Sequence, residues 1–169
     1  MQTFIALLRA VNVGGTGKLP MGTLVAMCAD AGFVGAQTYI ASGNVVFGSQ
    51  HSAGRVKAEL EVRLKAYASK PVGVMVRTGA EMAAVLAANP FPGAAANRAV
   101  AIFLDAPPLA DALRQAVGVR DEEMALGTRE IYVHYGTGMG TSRLRIPAAA
   151  SGTARNMNTV AKLAKMAAG

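Results

Sequence analysis

Cysteine is nearly missing from this chain: Cys28 stands alone, so no internal disulfide can form and no thiolate cluster can hold zinc. Cys28 falls at an apolar helical position and reads as a small buried hydrophobe. Histidine is almost as scarce, and His51 and His134 have no partners at metal-ligand spacing, so neither a metal site nor a Ser-His-Asp triad is expected. Tryptophan is absent and aromatic residues make up 5% of the sequence. Single-stranded RNA binders need stacking residues on central strands; Phe4 and Phe47 are the candidates in the first half, and core packing accounts for both. Long hydrophobic runs are missing too. Arg9 breaks the N-terminal apolar run well short of the roughly 18 residues of a membrane span, and Met1-Gln2-Thr3-Phe4 lacks the basic start of a secretory signal. These absences point to a soluble, cytoplasmic protein without a membrane partner.

Carboxylates are few and badly placed for acid-base chemistry. The ten are Asp30, Glu59, Glu61, Glu81, Asp105, Asp111, Asp121, Glu122, Glu123 and Glu130, and a paired-carboxylate mechanism has no home among them. Residues 131–169 contain no acidic side chain but carry Arg143, Arg145, Arg155, Lys162 and Lys165, which supply five of the seven net positive charges. A concentrated basic end fits an anionic partner.

What is present is a foldable core: 169 residues, 52% of them hydrophobic, with a mean hydropathy of +0.31. Thr3 to Leu8 reads as a strand buried on both sides. After a glycine-rich loop, Met21, Leu24, Val25 and Cys28 recur at helical spacing behind Pro20, and Gly32 can cap the helix. Gln37-Thr38-Tyr39-Ile40 and Val45-Val46-Phe47 flank Ala41-Ser42-Gly43-Asn44 as a hairpin. A helix follows from the N-cap Ser52, with Val56, Leu60, Leu64 and Tyr67 inward and Glu59–Arg63 and Glu61–Lys65 as outer pairs. Val72 to Val76 closes a β-α-β-β-α-β order, the split arrangement of ferredoxin-like folds with the first and third strands central. Residues 80–89 read as a connecting helix stopped by Asn89-Pro90-Phe91-Pro92-Gly93. A second half then repeats the order approximately: strand Val100 to Leu104, helix Pro107 to Val117, a hairpin of Met124 to Leu126 with Ile131 to Val133, a loop with a short helical piece, and a final helix from Asn158 to Ala167. The expected fold is α+β, with two ferredoxin-like halves and mainly antiparallel sheets. Its divisions are residues 1–78, a linker over 79–97, and residues 98–169 with the basic C-terminal helix.

The loop Gly14-Gly15-Thr16-Gly17-Lys18 suggests a P-loop but fails its rule. Asn12 stands where the first glycine belongs, and Leu19 where magnesium needs a hydroxyl. Gly136-Thr137-Gly138-Met139-Gly140 misses the dinucleotide fingerprint, because Thr141 holds the last glycine position. No cofactor motif is complete, and none is expected. Either loop can still cradle an anion with backbone N–H groups. The candidate ligand-binding residues are Arg9, Asn12, Gly14, Gly15, Lys18, Ser42, Asn44, Arg155, Asn156, Asn158 and Thr159. Amides, hydroxyls and cations suit recognition of phosphate or carboxylate more than proton transfer.

Three segments together resemble the bacterial family called domain of unknown function 1697. Its A-L-L-R-G-I-N-V-G-G start, followed by basic residues and P-M, is matched by Ala6 to Gly15 and Lys18-Leu19-Pro20-Met21. Its T-Y-I-x-S-G-N-V-V-F hairpin is matched by Thr38 to Phe47, and its R-N-W-N-T-V-x-K-L end by Arg155 to Leu163. The chain departs at Ala10, where the family has glycine, and at Met157, where it has tryptophan. The resemblance implies a two-part α+β fold of ferredoxin-like character and carries no activity with it. Three readings of function stay open: a non-catalytic module binding a phosphorylated or other anionic ligand, with nucleic acid among the candidates; an enzyme acting on a small anionic substrate; and an interaction module whose motif residues are structural.

Overall fold

A computed structural model describes residues 1–13 and 17–169. Over these residues the protein is α+β, with two four-stranded antiparallel sheets and four α-helices. The chain divides into two compact units, Met1–Met82 with Leu163–Gly169, and Ala83–Lys162. The sequence-based boundaries differ. The connecting helix is shared between the units, and the last turns of the final helix group with the first unit instead of closing the second.

In the first unit, β1 (Gln2–Leu8), α1 (Met21–Asp30), β2 (Val34–Thr38), β3 (Asn44–Ser49), α2 (Ala53–Ala68) and β4 (Val74–Thr78) follow in sequence. The sheet order is β2-β3-β1-β4, so β1 lies centrally, with Ile5 opposite Val46 on one side and Arg77 on the other. The unbroken apolar run of β1 follows from that position: Phe4, Ala6 and Leu8 face one core, while Ile5 and Leu7 are buried on the reverse face. Helices α1 and α2 close the first face with Leu24, Cys28, Val56, Leu60 and Leu64, each large apolar side chain worth about 1.5–3 kcal/mol of burial. Pro20 precedes α1 as its N-cap. Gly32, at φ +83°, ends it in the left-handed conformation, and the Phe33 N–H donates to the Cys28 carbonyl at 2.9 Å. Ser52 caps α2, its Oγ accepting from the Arg55 N–H at 3.2 Å. Two details of α2 differ from the periodicity: Glu61 pairs with Lys57, and Tyr67 at the helix end is 47% exposed.

The short helix α3 (Gly79–Ala87) leads into the second unit, which holds β5 (Ala99–Phe103), β6 (Glu123–Leu126), β7 (Glu130–His134) and β8 (Thr153–Asn156) in the order β6-β7-β5-β8. α4 (Met157–Ala168) begins there. The strand order is that of the first unit, but the helix expected over Pro107 to Val117 is missing. Only a single 3₁₀ turn, Ala112–Gln115, forms. A segment this short is marginal as a helix on its own, and a tertiary pairing competes for its end: Val117 and Arg145 exchange both backbone hydrogen bonds at 2.9 Å, with Ala116 already extended. Between β7 and β8 the chain makes two further 3₁₀ turns. β8 itself is a strand that the sequence reading assigns to a loop. Val100, Ile102, Ile131 and Val133 form the sheet's side of this core, and Ile146, with half-buried Leu113 and Leu144, covers it from irregular segments.

Among the described residues, no helix is long and apolar enough to cross a membrane.

Candidate functional site

Five of the predicted residues, Arg9, Asn12, Lys18, Ser42 and Asn44, fall in the first unit, and Arg155, Asn156, Asn158 and Thr159 in the second. Gly14 and Gly15 lie outside the described residues.

In the first unit the polar residues gather where β1 ends. Asn12 is a clasp: its Nδ2 donates to the carbonyls of Leu19 and Ala41, both at 2.8 Å, and its Oδ1 accepts from the Leu19 N–H at 2.7 Å. One side chain thus closes the neck of the glycine loop and ties it to the 41–44 turn. That turn is fastened to β1 as well, since the Leu8 N–H donates to the Gly43 carbonyl at 2.8 Å. Gly43, at φ +91°, has no room for a side chain; a Cβ would stand 2.7 Å from Val11 Cγ2 and 2.8 Å from Leu8 Cβ. Asn44 is fully buried, and its Nδ2 donates to the Tyr39 carbonyl and to Ser42 Oγ, both at 2.9 Å. Arg9 is exposed, with its backbone N–H bonded to the Gly73 carbonyl at 2.9 Å.

Beside this clasp lies a cavity of about 290 Å³. Val11, Leu19, Leu64 and Val72 give it apolar walls, and Lys18, Tyr67 and Lys70 supply its polar groups. Among the described residues, no carboxylate or histidine lines it. The Tyr67 hydroxyl donates to the Lys18 carbonyl at 3.3 Å, bracing the loop against the end of α2. Sequence reasoning gave Lys70 no role and read Tyr67 only as an inward residue of the helix, not as part of a site. Topology holds the signal that could have found them: Leu8 pairs with Val74, so the α2–β4 connection must stand beside the loop that leaves β1. The backbone here is strained. Ala10 (φ +56°), Asn12 (+55°) and Ile40 (+51°) all have left-handed conformations, which cost an L-residue about 1–2 kcal/mol and are a true outlier for β-branched isoleucine.

In the second unit, Arg155 sits on β8 opposite Ala101, buried, with Nη1 donating to Thr153 Oγ1 at 2.7 Å and to the Ala154 carbonyl at 2.9 Å. Burial pulls its pKa down to about 10. Asn156 is the N-cap of α4, its Oδ1 accepting from the Thr159 N–H at 3.0 Å. Met157 and Thr159 are buried and Asn158 is exposed. Glu122, given no role by the sequence reading, accepts from the Arg120 N–H at 2.7 Å and from Ser142 Oγ at 2.5 Å. The Ser142 hydrogen bond, foremost, holds its pKa below the usual carboxylate range. Among the described residues, no group of three or more histidine, cysteine or acidic side chains is placed to hold a metal ion.

No curated protein matches the chain. Among solved structures, the conserved bacterial protein SP0830 from Streptococcus pneumoniae is similar over 100% of this chain and 99% of its own, with a TM-score of 0.83 at 22% identity; at that identity the likeness speaks for the fold. The family model described as "Protein of unknown function (DUF1697)" matches residues 1–132. That span takes in the clasp, the hairpin and the cavity residues, and stops short of the Arg155 to Leu163 motif. With most of its length under this model, the chain belongs to the DUF1697 family.

Proposed function

We propose that the first unit, a ferredoxin-like module, binds a small phosphorylated or otherwise anionic ligand without transforming it. The observation that carries this reading is the cavity beside the Asn12 clasp, where Lys18 and Lys70 share a wall that contains no carboxylate. Among the described residues neither lysine has an ion-pair partner, so an arriving anion displaces no competing charge. A general base is also missing from the lining, which favours binding over the alternative of catalysis. The strained backbone at Ala10, Asn12 and Ile40 supports the same location, because such conformations gather where a loop is held in shape for a ligand. The cavity's size suits one small molecule better than a nucleic acid strand. Phe4, Phe33 and Phe47 are buried, with the Phe33 and Phe47 rings stacked at 4.4 Å, and so offer no face for a base.

The test is calorimetric titration with inorganic phosphate, pyrophosphate and a sugar phosphate. Saturable binding of at least one is expected, weakened about tenfold or more by the double variant Lys18→Ala/Lys70→Ala, with the melting temperature of the unliganded protein unchanged. Absence of binding to all three at millimolar concentration, or equal binding by the double variant, overturns the reading. Salt-sensitive binding of single-stranded RNA in their place moves it to nucleic acid.

A further inference from the structure

The second unit contains a larger concavity that none of the motifs marks. Its sheet face of Val100, Ile102, Ile131 and Val133 has no α-helix from the 104–122 or 135–152 connections laid across it; 3₁₀ turns and loops stand there. Such cover does not fill the space, and a cavity of about 520 Å³ remains, within the size range of small-molecule sites. Ile102, Val117, Leu144 and Ile146 form its apolar walls. Two groups that can bind a polar atom share that lining, Tyr135 and Arg145. The backbone of Arg145 is bonded to Val117 on both sides, while its exposed guanidinium has no hydrogen-bond or ion-pair partner among the described residues. The same is true of the Tyr135 hydroxyl.

The frame around this cavity is held in place. Ser142 Oγ donates to Glu122 and accepts from the Leu144 N–H at 3.2 Å, so the strand-like segment carrying Leu144 and Arg145 is pinned from one side by Glu122 and from the other by Val117. Burial, and secondarily the Glu122 carboxylate, push the Tyr135 phenol up, which keeps it a hydrogen-bond donor at neutral pH. Donors of this kind, one charged and one neutral, are complementary to a carboxylate. Among the described residues, the lining contains no acidic side chain.

We infer that the second unit binds a small amphipathic acid, its aliphatic or aromatic body against Ile102, Leu144 and Ile146 and its carboxylate held by Arg145 and Tyr135. This site is separate in composition from the Lys18–Lys70 cavity and selects a different ligand: here the apolar body supplies the affinity and a single charge orients it. A second copy of the chain would have to bring both an apolar element and an anionic group to this lining, and the small acid carries both.

The experiment is an amide NMR titration of the full chain with hydrocinnamate and, in parallel, with the neutral hydrocinnamyl alcohol. Hydrocinnamate is expected to shift the amides of Val117, Tyr135 and Ile146 saturably. Arg145→Gln, which keeps the backbone bridge to Val117, is expected to weaken hydrocinnamate about tenfold and leave the alcohol unchanged. Ala149→Phe, which fills the cavity, is expected to abolish both; if that variant does not fold, the Arg145→Gln pair of titrations decides alone. The inference is overturned by shifts that fail to saturate or that map elsewhere, by equal loss for acid and alcohol in Arg145→Gln, or by self-association that perturbs the same amides without ligand.

Discussion

The two units solve one problem with different materials. Each places its first strand at the centre of an antiparallel sheet, in the orders β2-β3-β1-β4 and β6-β7-β5-β8. Each also buries an arginine on the strand that flanks the first: Arg77 opposite Ile5, and Arg155 opposite Ala101. The first unit then lays two full helices over its sheet, and their apolar stripes close the core. The second covers its sheet with loops and three short 3₁₀ turns of four, three and three residues, and leaves the larger cavity, about 520 Å³ against about 290 Å³ in the first. A shared strand order therefore does not entail a shared cover. A sheet face must be covered by something, but regular helices fill it densely, whereas loops pinned at a few points, such as Val117–Arg145 and Glu122–Ser142, leave space.

If the cover is what differs, truncating it should have unequal consequences. Leu60→Ala, beneath α2 where the residue is fully buried, is expected to cost about 4 kcal/mol in urea denaturation, against about 1 kcal/mol for Leu113→Ala under the 3₁₀ turn, where only part of the side chain leaves water. Equal costs would show that the loops pack as tightly as the helices. Next in size is Asn12→Ala, which strands the part-buried N–H and carbonyl of Leu19 and releases the exposed Ala41 carbonyl to water; a loss of about 2 kcal/mol is expected, and one near zero would mean that the clasp is ornamental. Ala10→Gly should act in the opposite direction. At φ +56° the alanine is strained where glycine is not, so a gain of about 1 kcal/mol is expected even after glycine's greater unfolded-state entropy is counted, read as a rise in melting temperature. The smallest effect concerns the second unit's pinning. Glu122 has a folded pKa below its unfolded value, so the stability it contributes is present above the ordinary glutamate range and disappears as pH falls through the depressed value. Urea midpoints should therefore decline less on acidification in Glu122→Gln than in the parent; identical pH profiles would remove Glu122 from the account of the loop.

Much of the first unit was legible because its elements are local. An uninterrupted apolar strand, a 3.6-residue stripe and a Ser52 cap each declare themselves within a few residues. In the second unit the decisive interactions are distant. Nothing near Ala116 announces that Val117 will pair with Arg145, and Pro107 to Val117 does carry helix-forming residues; β8 is short and flanked by Gly152 and a helix start, so its periodicity has no room to show. The polar residues named from the sequence are divided between the two units, and their hydrogen-bonding duties were not legible. Asn12, Asn44 and Asn156 look alike as amides in a sequence, and only the hydrogen-bond partners reveal a clasp, a turn brace and a helix cap. Lys70 had no role in the sequence reading, and Tyr67 was read only as part of the α2 stripe, because the cavity arises from strand pairing across more than sixty intervening positions.

The Asn12 clasp has a further consequence for how this protein can change. Because one side chain joins the departure and the return of the chain, at residues 12 and 19, and holds the Ala41 carbonyl as well, lengthening the segment between them leaves those contacts available. Closing a segment twice as long costs only about 0.6 kcal/mol more. The clasp therefore makes the 12–19 connection a position where insertions are expected to be tolerated, with β1 and the turn at Gly43 keeping the Leu8–Gly43 hydrogen bond.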